Sequence, residues 1–273
     1  MKTRPSRILR LLREGQLPTV FKCNLADPRV VEAAGLCGVD AVWLCNEHVP
    51  TDWSGLENQI RAARLTNIDS IVRVSRGSYS DYVRPLEAGA TGIMVPHVAS
   101  AAEARQIVEW CRFHPLGQRA LDGGNIDGQF CLLPQAEYLQ HANTEIILLF
   151  QIESPEGLEQ VEAIAAVPGF DGFLFGPGDF SHRIGKAGQL DAPEVAAARR
   201  RVAAAGRKHG KFVMAAGLYA PFGDLVTEGH NVFGIGADVI ALTSYAKQRL
   251  ELIAGSIAAL PPTQKPAPRS PYA

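Results

Sequence analysis

Two carboxylates stand just past neighbouring apolar runs: Glu153 in the stretch Gln151-Ile152-Glu153-Ser154-Pro155, and Asp179 in Gly176-Pro177-Gly178-Asp179. Neither has a Cys or His partner nearby in sequence. Oxygen-only donors favour a hard divalent ion, Mg2+ or Mn2+, whose shell is completed by water and substrate oxygens. The structural alternative is that Glu153 belongs to the helix start at Ser154 and Asp179 caps the following turn. Arg73 sits inside Ile71-Val72-Arg73-Val74. A charge in an apolar strand needs a partner, either a substrate carboxylate or carbonyl oxygen that the guanidinium clamps or an internal ion pair. His48 follows Glu47 at the end of another apolar run, and histidine is the side chain that most often serves as a general base; a structural histidine is the alternative. His97, His182 and Arg119 are further candidates, whereas His114, His141, His209 and His230 read as surface or loop residues. Glycines in Gly176-Pro177-Gly178-Asp179 and Ala215-Ala216-Gly217-Leu218 would let backbone N–H groups face an anion.

The elements that must position these groups recur at short intervals. Apolar runs at 18–24, 40–45, 70–74, 92–95, 145–151, 171–175, 212–216 and 237–242 read as strands buried on both faces, the mark of a parallel sheet. Helical patterns fill most gaps, at 28–35, 56–65, 100–111, 155–166, 193–209 and 245–259. Asp27, Ser100 and Ser154 stand at their starts as N-caps, and Gly210 at one end as a stop. Eight such units predict an α/β fold, a (β/α)8 TIM barrel. A doubly wound open sheet is disfavoured because the first strand runs into NLADPRV rather than a Gly-rich phosphate turn. In a barrel, chemistry collects at the C-terminal strand ends, which is where Glu153, Asp179, Arg73 and His48 fall. The Gly/Pro-rich segment 114–133 is long enough to serve as a lid. Residues 1–260 read as one domain that opens with a short amphipathic helix, and 261–273 as a Pro-rich flexible tail.

The chain has 273 residues, 47% of them hydrophobic and 20% charged, so it can bury a core and does not read as disordered. Lys and Arg number 27 against 28 Asp and Glu, a formal net charge of −1. The basic excess of a nucleic-acid binder is therefore missing. No run of about 18 apolar residues is long enough to cross a membrane. The five cysteines, Cys23, Cys37, Cys45, Cys111 and Cys131, are odd in number and lack C-x-x-C spacing, which argues against a disulfide framework or zinc ribbon. With no secretory signal at the N-terminus, a reducing, cytoplasmic location is expected.

Taken in order, the segments GVDAVWLCNEH, IVRV, PLEAGATGIMVPHVASAAEA, LLFQIESPEGL and VPGFDGFLFGPGDFS resemble the HpcH/HpaI aldolase family, over residues 18–242 or thereabouts. The resemblance implies a metal-dependent class II aldolase that cleaves a 2-keto-4-hydroxy acid to pyruvate, or a related 2-keto acid, and an aldehyde. It implies Glu153 and Asp179 as ligands of Mg2+, Mn2+ or Co2+, and Arg73 as the group that steadies the enolate. His48 would do the acid/base work, and Gln151 would lie beside the keto acid. Backbone amides at Gly178, Asp179 and Leu218 would hold its carboxylate. It further implies a homo-oligomer, a hexamer, whose subunits exchange the last helix, here 245–259 as a domain-swapped C-terminal element. The chain departs from the family pattern in places. Cys45 replaces the acid that commonly orients the histidine, and Glu87 matches a second acidic position that would compensate. Lys22 stands where some relatives place an aromatic residue, Gly178 replaces Ala or Ser, and Ala120 replaces a Gly after Arg119. Three other readings stand beside it: Schiff-base chemistry at Lys22, which a barrel interior can desolvate, an acyl-CoA lyase of the same superfamily, and, from the Cys45 departure, a keto-acid-binding barrel with impaired catalysis.

Overall fold

The structure, a computed structural model, describes residues 3–266. Eight parallel strands close into a barrel in chain order: β1 (Thr19–Cys23), β2 (Ala41–Cys45), β3 (Asp69–Arg73), β4 (Gly92–Val95), β5 (Ile147–Ile152), β6 (Gly172–Phe175), β7 (Phe212–Ala215) and β8 (Val232–Ala237). Twelve helices accompany them. They are α1 (Arg7–Arg13), α2 (Pro28–Leu36), α3 (Trp53–Leu65), α4 (Tyr79–Glu87), α5 (Ala101–Cys111) and α6 (Gln135–Glu145), then α7 (Pro155–Glu159), α8 (Val161–Ala165), α9 (Pro177–Arg183), α10 (Pro193–Lys208), α11 (Phe222–Glu228) and α12 (Asp238–Ala258). The caps expected from sequence form: Asp27 accepts from the Arg29 N–H at 2.9 Å, Ser100 from Glu103 at 3.1 Å and Ser154 from Gly157 at 3.0 Å.

Strand parity decides which residues face the interior. Val20, Ala41, Trp43, Ile71, Met94, Ile147, Leu149, Leu174, Met214 and Val232 pack together inside the barrel. Their chain neighbours Val42, Leu44, Val72, Leu148, Phe150 and Ile152 pack under the helices. With side chains alternating along each strand, Lys22, Cys45, Arg73, Gln151 and Glu153 continue the inward series toward the C-terminal end. The barrel is thus apolar below and polar at its mouth. Its lower end is closed by α1, whose Ile8 is fully buried in the interior cluster, a burial that stabilises by roughly 1.5–3 kcal/mol. Asp69 at the start of β3 anchors that helix, accepting from the Ser6 hydroxyl at 2.7 Å and the Ile8 N–H at 2.9 Å.

The eighth strand corrects the sequence reading. It spans Val232–Ala237, not 237–242, and residues 238–242 open the 21-residue α12. The apolar run after Ala237 misleads because it is helix, while the true strand carries Gly234 and Gly236. Gly234 is required there: a Cβ would lie 2.6 Å from the Ala216 carbonyl oxygen. Asp238 ends the strand, accepting from the Asn24, Leu25 and Val239 N–H groups at 2.7–3.0 Å and so tying β8 to the end of β1. The expected helix 155–166 is interrupted at Gln160, and helices α4, α6, α9 and α11 lie outside those expected from sequence.

The 114–133 segment is not a lid over this chain's own barrel mouth. It folds onto the opposite end, where Arg119 meets Asp127 at 2.7 Å and Arg119 and Asp127 line a cavity with Arg4, Gly89 and Thr91. Of the tail, Pro262–Gln264 form one 3-10 turn, and 267–273 lie outside the described residues.

Candidate active site

Glu153 follows β5 and is 1% exposed. Its Oε1 accepts the His97 N–H at 2.9 Å and lies 2.9 Å from His97 Nδ1. The His97 backbone is left-handed (φ 54°) just past β4, a conformation that costs a non-glycine residue about 1–3 kcal/mol and turns this N–H toward the carboxylate. The Gln151 side-chain amide donates to the other carboxylate oxygen. The space for this group depends on Gly176, where a Cβ would stand 2.5 Å from Glu153 Oε2. Burial pushes the Glu153 carboxyl up to about 7; the charges of Asp179 and Glu47 add to the rise, while the His97 N–H and Arg73 oppose it. Asp179, exposed on the first turn of α9, is thus close enough for its charge to be felt at Glu153.

Arg73 ends β3 and is 5% exposed. Its Nη2 donates to Cys45 Sγ at 3.1 Å, its Nε lies 3.0 Å from Glu47 Oε2, and its guanidinium carbon is 4.8 Å from the centre of the Trp43 ring. Parallel register places Cys45 directly beside Arg73. Glu47 proves to be the hub of the mouth. Its Oε2 also lies 3.4 Å from His48 Nε2, and its Oε1 is 3.5 Å from His97 Nε2. Sequence reasoning passes over Glu47 in favour of its neighbour. The signal is present, since a carboxylate in the same strand-end turn as a histidine is placed to orient it. Cys45 acts differently. Its Sγ accepts the His48 N–H at 3.4 Å and so holds the turn. His48 is exposed, with its ring at the rim.

Gly178 lies exposed at the start of α9 and Leu218 is 60% exposed in the loop after β7, both at the mouth. Glu87 is not brought into this group. It ends α4, at the barrel end from which β4 starts, 3.9 Å from Arg119. Arg119 and Glu87 therefore belong to the lower end of this chain, while His97 joins the mouth. Lys22 reaches the mouth too, 4.9 Å from the centre of the Trp43 ring. Among the described residues, no group of three or more His, Cys, Asp or Glu side chains is placed to hold a metal ion.

Two polar atoms at the mouth, Gln151 Oε1 and Trp43 Nε1, are buried without a hydrogen-bond or ion-pair partner among the described residues. Such groups are costly unless something pairs with them. The mouth therefore has the character of a ligand site: a buried cation, a carboxylate pair, and a histidine backed by a carboxylate.

Known proteins share this framework. The chain is 34% identical over 217 residues to the 5-keto-4-deoxy-D-glucarate aldolase of Klebsiella pneumoniae subsp. pneumoniae, covering 80% of this chain and 83% of that protein. It is 36% identical over 193 residues to the hydroxypyruvate/pyruvate aldolase of Pseudomonas aeruginosa, covering 71% and 72%. The crystal structure of an HpcH/HpaI aldolase from Desulfitobacterium hafniense DCB-2 superposes with a TM-score of 0.86 at 28% identity, over 94% of this chain and 98% of that one. The model of the HpcH/HpaI aldolase/citrate lyase family matches residues 19–243, from the first residue of β1 into the start of α12, and the chain belongs to that family.

Proposed function

We propose that this chain is an aldehyde-lyase that cleaves a 2-keto-4-hydroxy acid into pyruvate, or a related 2-keto acid, and an aldehyde. The observation that carries this reading is the buried Arg73 guanidinium, held by Glu47 and Cys45 at a barrel mouth that also contains the Glu153 and Asp179 carboxylates. Aldolase relatives on both sides of the comparison favour the same chemistry.

The residues fit a divalent cation, Mg2+, Mn2+ or Co2+. Glu153 is a buried carboxylate whose ionisation is opposed by burial and by two neighbouring acids, and a cation would relieve that opposition. Gln151 Oε1 is an unpartnered oxygen beside it. Two carboxylates leave most of a six-coordinate shell to water and the keto acid. A bound divalent ion supplies Lewis-acid polarisation of the keto acid's oxygens.

The chain's own groups do the rest. Cleavage of the C3–C4 bond leaves an enolate, and the Arg73 guanidinium is pre-positioned to stabilise the negative charge that develops on its oxygen. His48 takes the proton from the 4-hydroxyl, directly or through one water, with Glu47 orienting its ring, and C3 of the enolate then takes up a proton from water at the open mouth to give the keto acid. Glu47 supplies the carboxylate that Cys45 cannot. N–H groups at Gly178, Asp179 and Leu218 hold the keto-acid carboxylate, and Gln151 positions its neighbour Glu153. Within one chain Glu87 lies at the other end of the barrel, 3.9 Å from Arg119.

We also infer a homo-oligomer, built as a hexamer with α12 packed on a neighbouring copy. Only Asp238 of this helix is buried, while Ile240, Leu242, Tyr245, Leu250, Leu252 and Ile253 are 51–64% exposed, an apolar area that favours a partner. No helix among the described residues is long and apolar enough to cross a membrane. All five cysteines are free, which suits a reducing setting such as the cytoplasm.

The test is deuterium exchange into the methyl group of pyruvate, read by NMR. Exchange is expected to stop with EDTA and to return with Mn2+, Mg2+ or Co2+. Persistent exchange after thorough metal removal would overturn the metal role, and no exchange under any condition would overturn the enolate chemistry.

A further inference from the structure

The loop that follows β7 is held by side chains rather than by its own backbone. Residues 217–220 carry no helix or strand, and among the described residues no backbone–backbone hydrogen bond ties them. Tyr219 anchors the segment. Its half-buried ring packs, with Ala220, on Ala215, Leu225 and Phe233, a small apolar cluster apart from the main core. The Arg199 guanidinium lies over the same ring, 5.7 Å from its centre, within the range of a cation–π contact. Burial raises the pKa of the Tyr219 phenol, so the ring stays neutral beside that cation.

Arg199 is itself fixed. It stands on α10, is 6% exposed, and its Nε and Nη2 each donate to one oxygen of the Glu228 carboxylate at 2.7 Å. A two-point pair of this kind sets the plane of the guanidinium as well as its position. Glu228 is the last residue of α11, the helix that the loop leads into. The ion pair therefore joins two barrel helices and offers the Tyr219 ring one seat, between the guanidinium and the apolar cluster. Tyr219 comes one residue after Leu218, whose N–H is assigned to the keto-acid carboxylate. Seating the ring orders the chain at that point before any ligand arrives, and binding is spared the cost of ordering it.

We propose that Tyr219, Arg199 and Glu228 are positioning residues, a clamp behind the barrel wall that presets the loop after β7 for the keto acid. This rests on the aldolase reading above and deepens it. None of the three side chains is assigned a contact with substrate or metal, so the clamp acts on binding and leaves the chemistry to Arg73, His48 and the carboxylates. Its loss should raise KM and spare kcat, the mark of a contribution made equally to ground and transition states.

The experiment follows methyl exchange of pyruvate with Mn2+ in the full chain, as KM and as the rate at saturation. Tyr219→Leu is expected to raise KM about 10-fold, the scale of one desolvated cation–π contact, with the saturated rate little changed. Tyr219→Phe keeps the ring and should restore KM close to the wild-type value. Removing Arg199 alone would strand a buried carboxylate, so Arg199→Met is combined with Glu228→Met, and this double variant should raise KM as Tyr219→Leu does. Mn2+ affinity by titration calorimetry should stay at the wild-type value in all of them. A wild-type KM in Tyr219→Leu or in the double variant would overturn the clamp. So would a Tyr219→Phe enzyme as impaired as Tyr219→Leu, or a parallel loss of Mn2+ affinity, which would mark a general disturbance of the fold. Amide hydrogen exchange of the 216–220 peptide, read by mass spectrometry without pyruvate, reports the loop independently of any chemistry. It should be faster in Tyr219→Leu than in the wild type, and equal rates would also overturn the clamp. Absence of methyl exchange in the wild type fails the aldolase reading and the role built on it, whereas wild-type exchange with an unmoved KM in the variants fails the clamp alone.

Discussion

Arg73 is one of the most constrained side chains at the mouth: 5% exposed, with the Cys45 thiol, the Glu47 carboxylate and the Trp43 ring around it. A guanidinium satisfies this geometry because its planar fork can meet Cys45, Glu47 and a substrate oxygen at once; an ammonium cannot. Arg73→Lys is therefore expected to lower kcat by about 100-fold, as loss of one pre-positioned donor to a developing oxyanion does, measured as pyruvate release at saturating substrate. Glu153 gives a second prediction at the same scale. In the unfolded chain its carboxyl titrates near 4.5, and in the folded, metal-free protein near 7. Between these values the folded state keeps a proton that the unfolded chain has released, so stability falls as pH rises through the window. The expected loss is about 3 kcal/mol between pH 4.5 and 7.5, seen as a falling urea midpoint in EDTA, and Glu153→Gln should flatten it. An unchanged slope in that variant would show that other groups set the pH dependence.

At the scale of elements, the turn after β6 decides whether Glu153 can occupy its place. Gly176 leaves room that any Cβ would fill, 2.5 Å from the carboxylate oxygen and 2.7 Å from Glu153 Cβ. Gly176→Ala is expected to displace Glu153 and weaken Mn2+ binding by about 10- to 100-fold, the range seen when groups supporting a metal ligand are disturbed, measured by titration calorimetry. Barrel strands are legible from sequence wherever an apolar run is bounded by polar turns, as at 92–95, which matches β4 residue for residue. The last strand is not. Gly234 and Gly236 make β8 look like a loop, and the apolar face of α12 looks like a strand. Their true identities follow from a close approach to Ala216 and from Asp238 bridging to β1. Helix α4 escapes notice because Pro85 lies inside it, a residue that normally argues for a break.

For the whole molecule, α12 is an unfinished surface. It extends from the barrel with one buried residue and an apolar set that includes Leu250 and Ile253. Leu250→Glu with Ile253→Glu is expected to shift the assembly to smaller species in size exclusion with light scattering; an unchanged mass would remove this helix from the interface. The Arg119 segment poses the complementary case. Composition marks it as a lid, yet within one chain it covers the end of the barrel remote from Glu153, with Asp127 and Tyr138 as its partners.

The sequence alone determined the parity of the strands and the chemistry of the residues at their ends. An inward Ile71 makes Arg73 inward, and an inward Leu149 makes Gln151 and Glu153 inward, because side-chain alternation is local and needs no knowledge of the fold. Only the tertiary structure decided which of these groups meet. Closure of the ring sets Cys45 against Arg73 and Lys22 against Trp43, makes Glu47 the partner of both Arg73 and His48, and leaves Glu87 at the far end. Those pairings join residues that are distant along the chain, or turn on how a loop folds back, and no local pattern records them.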